Sequence, residues 1–334
     1  NDPGSDKTAE TDDFHVDKEI VVTAPYVQKL DILSGTSAIS GDELAAKVQG
    51  QIGDSLTSLP GVSATSFSPG ASRPVLRGFQ GNRVAVLTDG IGNIDASNTS
   101  ADHAVTIDSL TSERIEVLRG PAVLLFGGQA VGGAVNVIDK RIPRAVPDEP
   151  IHADALLGYS TAANEYSAGA SVDFPIASRL VGHIDGSYRN SDDLNISGYV
   201  VAPVLRAETL ALADEEQAGG DPIRAAQLRA AANQRGTLLN SATETWNVAG
   251  GLAFIDTGGN LGVSFNVYDT NYGVPGRPDS DEGPVSIDLR QYRADLRGEV
   301  ELGSGLFEKL RIRAGYADYE HAELEGDQIG TRFL

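Results

Sequence analysis

A small α+β domain followed by the strands of an antiparallel transmembrane β-barrel is the fold class this sequence predicts. Three observations carry it. Residues 36–141 mix a helical apolar period with short β-branched runs punctuated by glycine. From Ile151 onward the texture changes to strict alternation of apolar and polar residues. In that second part, aromatics and connection lengths sort by edge, as strands standing in a bilayer require.

Composition narrows the classes. The chain has 334 residues, a formal net charge of −21, no Cys, no Met and 38 Gly. Without cysteine there is neither a disulfide scaffold nor a thiolate metal site, which fits an oxidising compartment. The acidic balance argues against nucleic acid, whose phosphates need Lys and Arg, and favours cationic cargo. No apolar run approaches the roughly 18 residues of a membrane helix. With no starting Met and no signal peptide, the chain reads as mature or trimmed at its front.

Residues 1–35 are expected to be a disordered tail, most clearly the acidic stretch 1–18. Within it stands an abrupt β-branched run, Glu19-Ile20-Val21-Val22-Thr23-Ala24, stopped by Pro25. Such a run is either the first strand of the domain or a segment that pairs with another protein by strand addition. In the α+β domain, Ser40 and Glu43 form a capping-box pattern. Leu44, Val48, Ile52, Leu56 and Leu59 then follow at helical spacing until Pro60-Gly61 ends the helix. Residues 75–78 and 83–87 read as strands around a turn at Gln80-Gly81-Asn82. The domain closes with ERIEVLRGPAVLLFGGQAVGGAVNVI, residues 113–138: a β-prone run, an Arg-Gly-Pro break, a second apolar run and two glycine pairs.

Seven strands are expected thereafter: 152–160, 165–174, 180–189, 244–255, 260–269, 290–302 and 309–317. One face of each is uncharged, for example Leu261, Val263, Phe265 and Val267. The other carries His183, Asp185, Arg293, Asp295, Arg297, Glu299, Glu301, Arg311 and Arg313, a polar lumen. A soluble sandwich alternates too, so connections decide. Turns at 175–179, 257–259 and 303–305 are short, whereas 190–243 and 270–289 are long and lie on the opposite edge. Tyr159, Tyr166, Tyr188, Trp246, Tyr292 and Tyr316 fall at the long-loop edge, as an aromatic girdle would. The long connection 190–243 holds two helical segments, with Asp221-Pro222 a good helix start; they are a lid over the pore mouth or a plain surface excursion. Seven is an odd count, and an unclosed sheet leaves backbone edges in lipid.

On Leu118-Arg119-Gly120-Pro121, Gly132–Ile138 and Arg77-Gly78, the chain resembles the TonB-dependent outer-membrane receptors. The resemblance implies a plug domain at 36–141 and the first part of a barrel at 150–334, truncated in an external loop because the family closes with far more strands. It implies that Glu19–Ala24 is the TonB box, with TonB as partner and the outer membrane as location. It further implies that plug arginines at Arg77 and Arg119 lock onto barrel carboxylates, with Glu299 and Glu301 as inward candidates here.

Candidate ligands are few. The five histidines are scattered, no pair has the spacing of a helical zinc enzyme, and no nucleophile elbow is present, so no enzyme is expected. Asp102-His103, in the polar run 94–107, is either an ordinary solvated pair or a carboxylate–imidazole pair suited to zinc. That run resembles the plug apex of the zinc-uptake subgroup, as do Tyr272–Pro278 and Tyr319–Glu323. The acidic Asp279–Gly283 stands where that subgroup often carries a His-rich run. Glu320, His321 and Glu323 offer a separate outer site or a solvated loop of mixed charge. The expected function is TonB-dependent transport of a metal ion, zinc first, with no resident cofactor. The alternatives are a ferric siderophore or haem receptor of the same family, or a passive porin-like or structural barrel.

Overall fold

Two large sheets and two small strand pairs make up the computed structural model, which describes residues 35–128, 130–277, 284–303, 307–325 and 328–333. The Glu19–Ala24 segment and the acidic Asp279–Gly283 run lie outside the described residues.

The first domain consists of β1 (Ser37–Ser40), α1 (Gly41–Lys47), α2 (Ile52–Ser55), β2 (Val62–Ala64), β3 (Pro74–Leu76), β4 (Val84–Thr88), β5 (Ile91–Gly92), β6 (Ser112–Leu118) and β7 (Gly133–Asp139). Five of these strands form one sheet in the order β1-β6-β7-β4-β5, with β4 and β7 parallel. β7 is buried along its whole length, which is why GAVNVID reads as a nearly continuous apolar run. Ile39, Leu44, Ile52, Leu56, Leu76, Ile115 and Val135 meet in its core.

The single helix expected over 41–59 is broken in two. Val48 leaves the helical region at φ −57°, ψ 127°, and α2 starts only at Ile52. The helical spacing nevertheless marks the right residues, since Leu44, Ile52 and Leu56 are buried and Val48 and Leu59 pack beside them. Burial of one face sets that spacing, and Gly50 in the gap is a poor helix former. Ser40 sits at the N-cap position but its side chain makes no cap hydrogen bond. Glu43 pairs instead with Lys47 at 2.6 Å.

The second sheet has eight strands, one more than expected: β8 (His152–Ser160), β9 (Glu165–Ala177), β10 (Leu180–Ser191), β13 (Thr243–Asp256), β14 (Gly259–Val274), β15 (Val285–Glu301), β16 (Lys309–Glu325) and β17 (Gln328–Phe333). They run as an antiparallel meander, and its two ends, β8 and β17, do not pair with each other. Between β10 and β13 rises an excursion: the paired strands β11 (Leu194–Tyr199) and β12 (Arg235–Leu238), and the helices α3 (Pro203–Gly219) and α4 (Pro222–Ala232). Asp221 caps α4 by accepting from the Arg224 amide at 2.9 Å. Gly220 ends α3 in the left-handed conformation at φ 95°.

The sheet is inside-out relative to a soluble protein. Leu157, Ile184, Val263, Phe265, Ile312 and Tyr316 stand exposed on the outer face. His183, Asp185, Arg189, Asn247, Asn266 and Arg293 are buried on the inner one, against the first domain. No second sheet covers the apolar face among the described residues, and hydrocarbon is the solvent that suits it. The tyrosines pair across strands as a belt, Tyr159 with Tyr166 and Tyr188 with Trp246. Among the described residues no helix is long and apolar enough to cross a membrane.

Two loop expectations change. Residues 270–274 and 285–289, expected as parts of a loop, are ladder, since β14 and β15 stay paired from Thr270↔Leu289 to Val274↔Val285. β16 likewise runs on to Glu325. Above the membrane band the outer face no longer needs apolar residues, so alternation fades from the sequence while the strands continue. There the inner face turns apolar: Tyr268, Tyr272, Ile287 and Leu289 pack on Ala71 and Ala104 of the first domain.

Candidate metal centre

The centre forms where the tip of the first domain meets the extended ends of β14 to β17. Its tip is the polar run 93–106, folded around Asp95, whose carboxylate accepts from the Ser97 amide at 3.0 Å and the Thr106 amide at 3.1 Å. The barrel wall grips that tip from outside: Gln291 donates to the Ile94 carbonyl at 2.5 Å and Arg293 to Asn93 at 3.2 Å.

His103 projects from this tip, 5% exposed, onto His321 of β16, 1% exposed. The two Nε2 atoms are 3.1 Å apart, although 218 residues separate them in sequence. Glu323 completes the group, its Oε1 standing 3.5 Å from His103 Nε2 and 3.9 Å from His321 Nε2. One ligand atom from each of the three lies within 4.8 Å of the others. Ligands about 2.0–2.1 Å from a tetrahedral ion stand roughly 3.3 Å apart, so these separations suit one zinc-sized ion. Two imidazoles and a carboxylate are a borderline-hard donor set of the kind that suits zinc and leaves a fourth position open.

Asp102 lies behind the imidazole. Its Oδ1 is 3.0 Å from His103 Nδ1 and also accepts from the Ser100 hydroxyl. The hydrogen bond from His103 holds the Asp102 carboxyl well below the usual carboxylate range, against the opposing effect of burial and with help from Ser100. Asp102 thus faces the Nδ1 side of the ring, the place a carboxylate takes behind a histidine whose Nε2 points to the group. Asp102, expected as a ligand with His103, stands on the Nδ1 side of that ring, outside the group formed by His103, His321 and Glu323.

The expected outer site is not separate. His321 and Glu323 join His103, whereas Glu320 turns away, 43% exposed, and pairs with Arg332 at 3.1 Å. Strand parity explains the split, because the alternation that turns Arg311 and Arg313 inward reaches 321 and 323 but not 320. That signal was in the sequence. Aromatic rings wall the pair: Phe333 stacks on His321 with centroids 4.4 Å apart, and Tyr319 meets it edge-on at 5.4 Å. The Nδ1 of His321 is buried with no hydrogen-bond partner among the described residues.

Among the described residues, Arg77 and Arg119 do not pair with Glu299 or Glu301, the carboxylates expected to lock them. Arg119 donates within its own domain, to the Gly35 and Pro60 carbonyls and to Ser37, at 3.1, 2.8 and 3.1 Å. Arg77 lies near enough to depress its pKa, behind the larger effect of burial. Glu299 is held by Lys309 at 2.5 Å and Arg311 at 2.7 Å, on its own sheet. Other pairs cross between the domains. Asp89 binds Arg297 of β15 at 3.1 Å, and Arg313 of β16 donates to the Asp89 carbonyl at 2.7 Å. Arg141, just after β7, reaches Asp185 of β10 at 3.3 Å, and His183 bridges Asp185 and Asp173 at 3.1 and 2.7 Å. Burial, and Asp139 beside it, push Asp89 up to about 6 against the pull of Arg144, Arg297 and Arg313.

A small α+β domain seated against an inside-out antiparallel sheet is the arrangement of a plug within an incomplete outer-membrane β-barrel. Residues 28–134 match the TonB-dependent Receptor Plug Domain family, and the sheet that follows has the antiparallel order of a barrel wall. The chain is 34% identical over 124 residues to the vitamin B12 transporter BtuB of Vibrio vulnificus, covering 36% of this chain and 20% of that protein. It is 27% identical over 192 residues to the iron-regulated outer membrane virulence protein of Vibrio cholerae, covering 55% of this chain and 29% of that protein. The chain thus spans less than a third of either relative. Among solved structures, the copper transporter OprC shares the fold at TM-score 0.63 and 17% identity, over 86% of this chain and 37% of that one. The ferric enterobactin receptor of Pseudomonas aeruginosa does so at TM-score 0.56 and 15% identity, over 87% and 42%.

Proposed function

We propose that this protein takes up a divalent metal ion across the outer membrane, zinc first, driven by TonB. The observation that carries the reading is the convergence of His103, from the plug, with His321 and Glu323, from the barrel, at a nearly buried point on the extracellular side. The centre has room for an ion between three donors, and Phe333 and Tyr319 flank it with rings rather than with a wide cavity. The net charge of −21 draws cations to the surface from which they would enter. Ligands divided between plug and barrel give release a simple route, because moving the plug withdraws His103 and leaves two donors. The outer membrane holds no ATP and no usable gradient, so that movement is drawn from TonB through strand addition at Glu19–Ala24.

A ferric siderophore or haem receptor is the rival reading, favoured by the iron-linked names among the relatives. Cells expressing the full-length protein, offered labelled zinc and labelled ferric chelates in competition, separate the two. Zinc uptake that falls with His103→Ala and with deletion of residues 19–24 supports the proposal. Chelate uptake with no zinc uptake sinks it, and zinc uptake indifferent to the deletion sinks the energy coupling.

A further inference from the structure

His103 can meet His321 only if the plug tip sits at one place against the barrel wall; Gln291 and Arg293 hold the tip at Asn93 and Ile94, and Tyr272 is bonded on both sides of His103 itself. Tyr272 of β14 is fully buried and faces inward, on the same strand face as Asn266, Tyr268 and Thr270. Its hydroxyl donates to the Asp102 carbonyl at 3.0 Å and accepts from the Ala104 amide at 2.9 Å. These two backbone groups flank His103 on either side. A phenol has one proton to give and lone pairs to receive, and here both are spent on one three-residue segment. The ring itself cannot shift toward the plug. It lies against Gly70, where any Cβ would overlap Tyr272 Cβ and Cγ. Tyr268, Ile287 and Leu289 support the same apolar patch, packed on Ala71 and Ala104.

We propose that Tyr272 is the positioning residue of the metal centre: it pins the Asp102–Ala104 backbone to the barrel so that His103 Nε2 is presented to His321 and Glu323. Affinity for the ion then depends on the seating of the plug. A displacement of the tip by about an ångström breaks both bonds of the phenol and misplaces one ligand of three. Tyr272 bonds the backbone on both sides of His103 rather than a donor atom of the centre, so its effect runs through that backbone. The inference rests on the proposed metal reading for its affinity arm alone.

The test uses Tyr272→Phe, which keeps the ring against Gly70 and removes both hydrogen bonds, in the full-length protein. Amide exchange at Ala104 is measured without metal, zinc affinity by titration, and ligand geometry from the visible absorption of the cobalt(II) form. Exchange at Ala104 should accelerate roughly tenfold, the gain expected from one lost hydrogen bond. Zinc should bind about 10- to 100-fold more weakly, as on loss of other supports of a metal ligand. The cobalt bands should change in position and intensity, which a general loss of stability would not produce while the protein stays folded. Gly70→Ala, which keeps the hydroxyl but pushes the ring, should move all three readings the same way. Unchanged exchange in Tyr272→Phe overturns the pin, and so does faster exchange with unaltered cobalt bands and zinc affinity. If the wild type binds neither zinc nor cobalt, the metal reading is overturned, and the exchange result alone upholds or overturns the pin.

Discussion

Replacing His321 by alanine tests the centre most directly, because parity supplies an internal control one residue away. His321 is one of three donors, its Nε2 3.1 Å from His103 Nε2 and its ring stacked at 4.4 Å on Phe333. Structural zinc sites of four ligands bind with apparent free energies of about 10–16 kcal/mol. Shared evenly, that is roughly 3 kcal/mol per ligand, or about two orders of magnitude in dissociation constant. Glu320 precedes His321 but points outward to Arg332, so Glu320→Ala should change affinity by less than about threefold, the scale of a surface ion pair. The assay is competition of the purified full-length protein against a zinc-sensitive dye, with melting temperatures recorded to show that both variants are folded. A folded His321→Ala protein within threefold of wild type would refute the reasoning. So would a Glu320→Ala loss as large as that of His321→Ala, because the strand would then present the wrong face.

Three further outcomes follow from the same geometry. Arg141→Ala should lower plug–barrel stability by less than the roughly 3–5 kcal/mol of a fully orphaned buried charge, because Asp185 loses its 3.3 Å partner but keeps His183 at 3.1 Å; thermal melting in detergent reads the loss. Asp89 has a folded pKa raised to about 6 from 3.8, so its contribution is fully present below pH 3.8 and lost as pH rises through 6. Roughly two pH units at about 1.4 kcal/mol each give roughly 3 kcal/mol, so wild type should lose that much relative to Asp89→Asn between pH 4 and pH 7, measured as a pH series of melting curves. Val263→Lys, on the lipid face at 47% exposure, should cost about 2–4 kcal/mol in urea titrations of folding into lipid vesicles, and a neutral result would contradict the membrane assignment of that face.

What the sequence determined by itself was local and periodic. The apolar period over 44–59 named the residues that enter the plug core, because burial of one face demands that spacing whether or not the backbone stays helical. Alternation from Ile151 fixed which side chains face outward, because successive residues on a strand must point to opposite sides. Asp221-Pro222 marked a helix start, because a cap is satisfied within one turn. The strands beyond the membrane band were illegible, because outside hydrocarbon the outer face is free to be polar. Tertiary structure decided the rest. It broke the plug helix after Lys47, gave the plug–barrel pairing to Asp89 and Arg141 rather than Arg119, and set Asp102 behind His103 instead of beside it. Above all it brought His103 to His321 across 218 residues. That meeting depends on the register of the antiparallel ladder and on where the plug sits inside it, and both are sums of long-range contacts that no short stretch of sequence encodes.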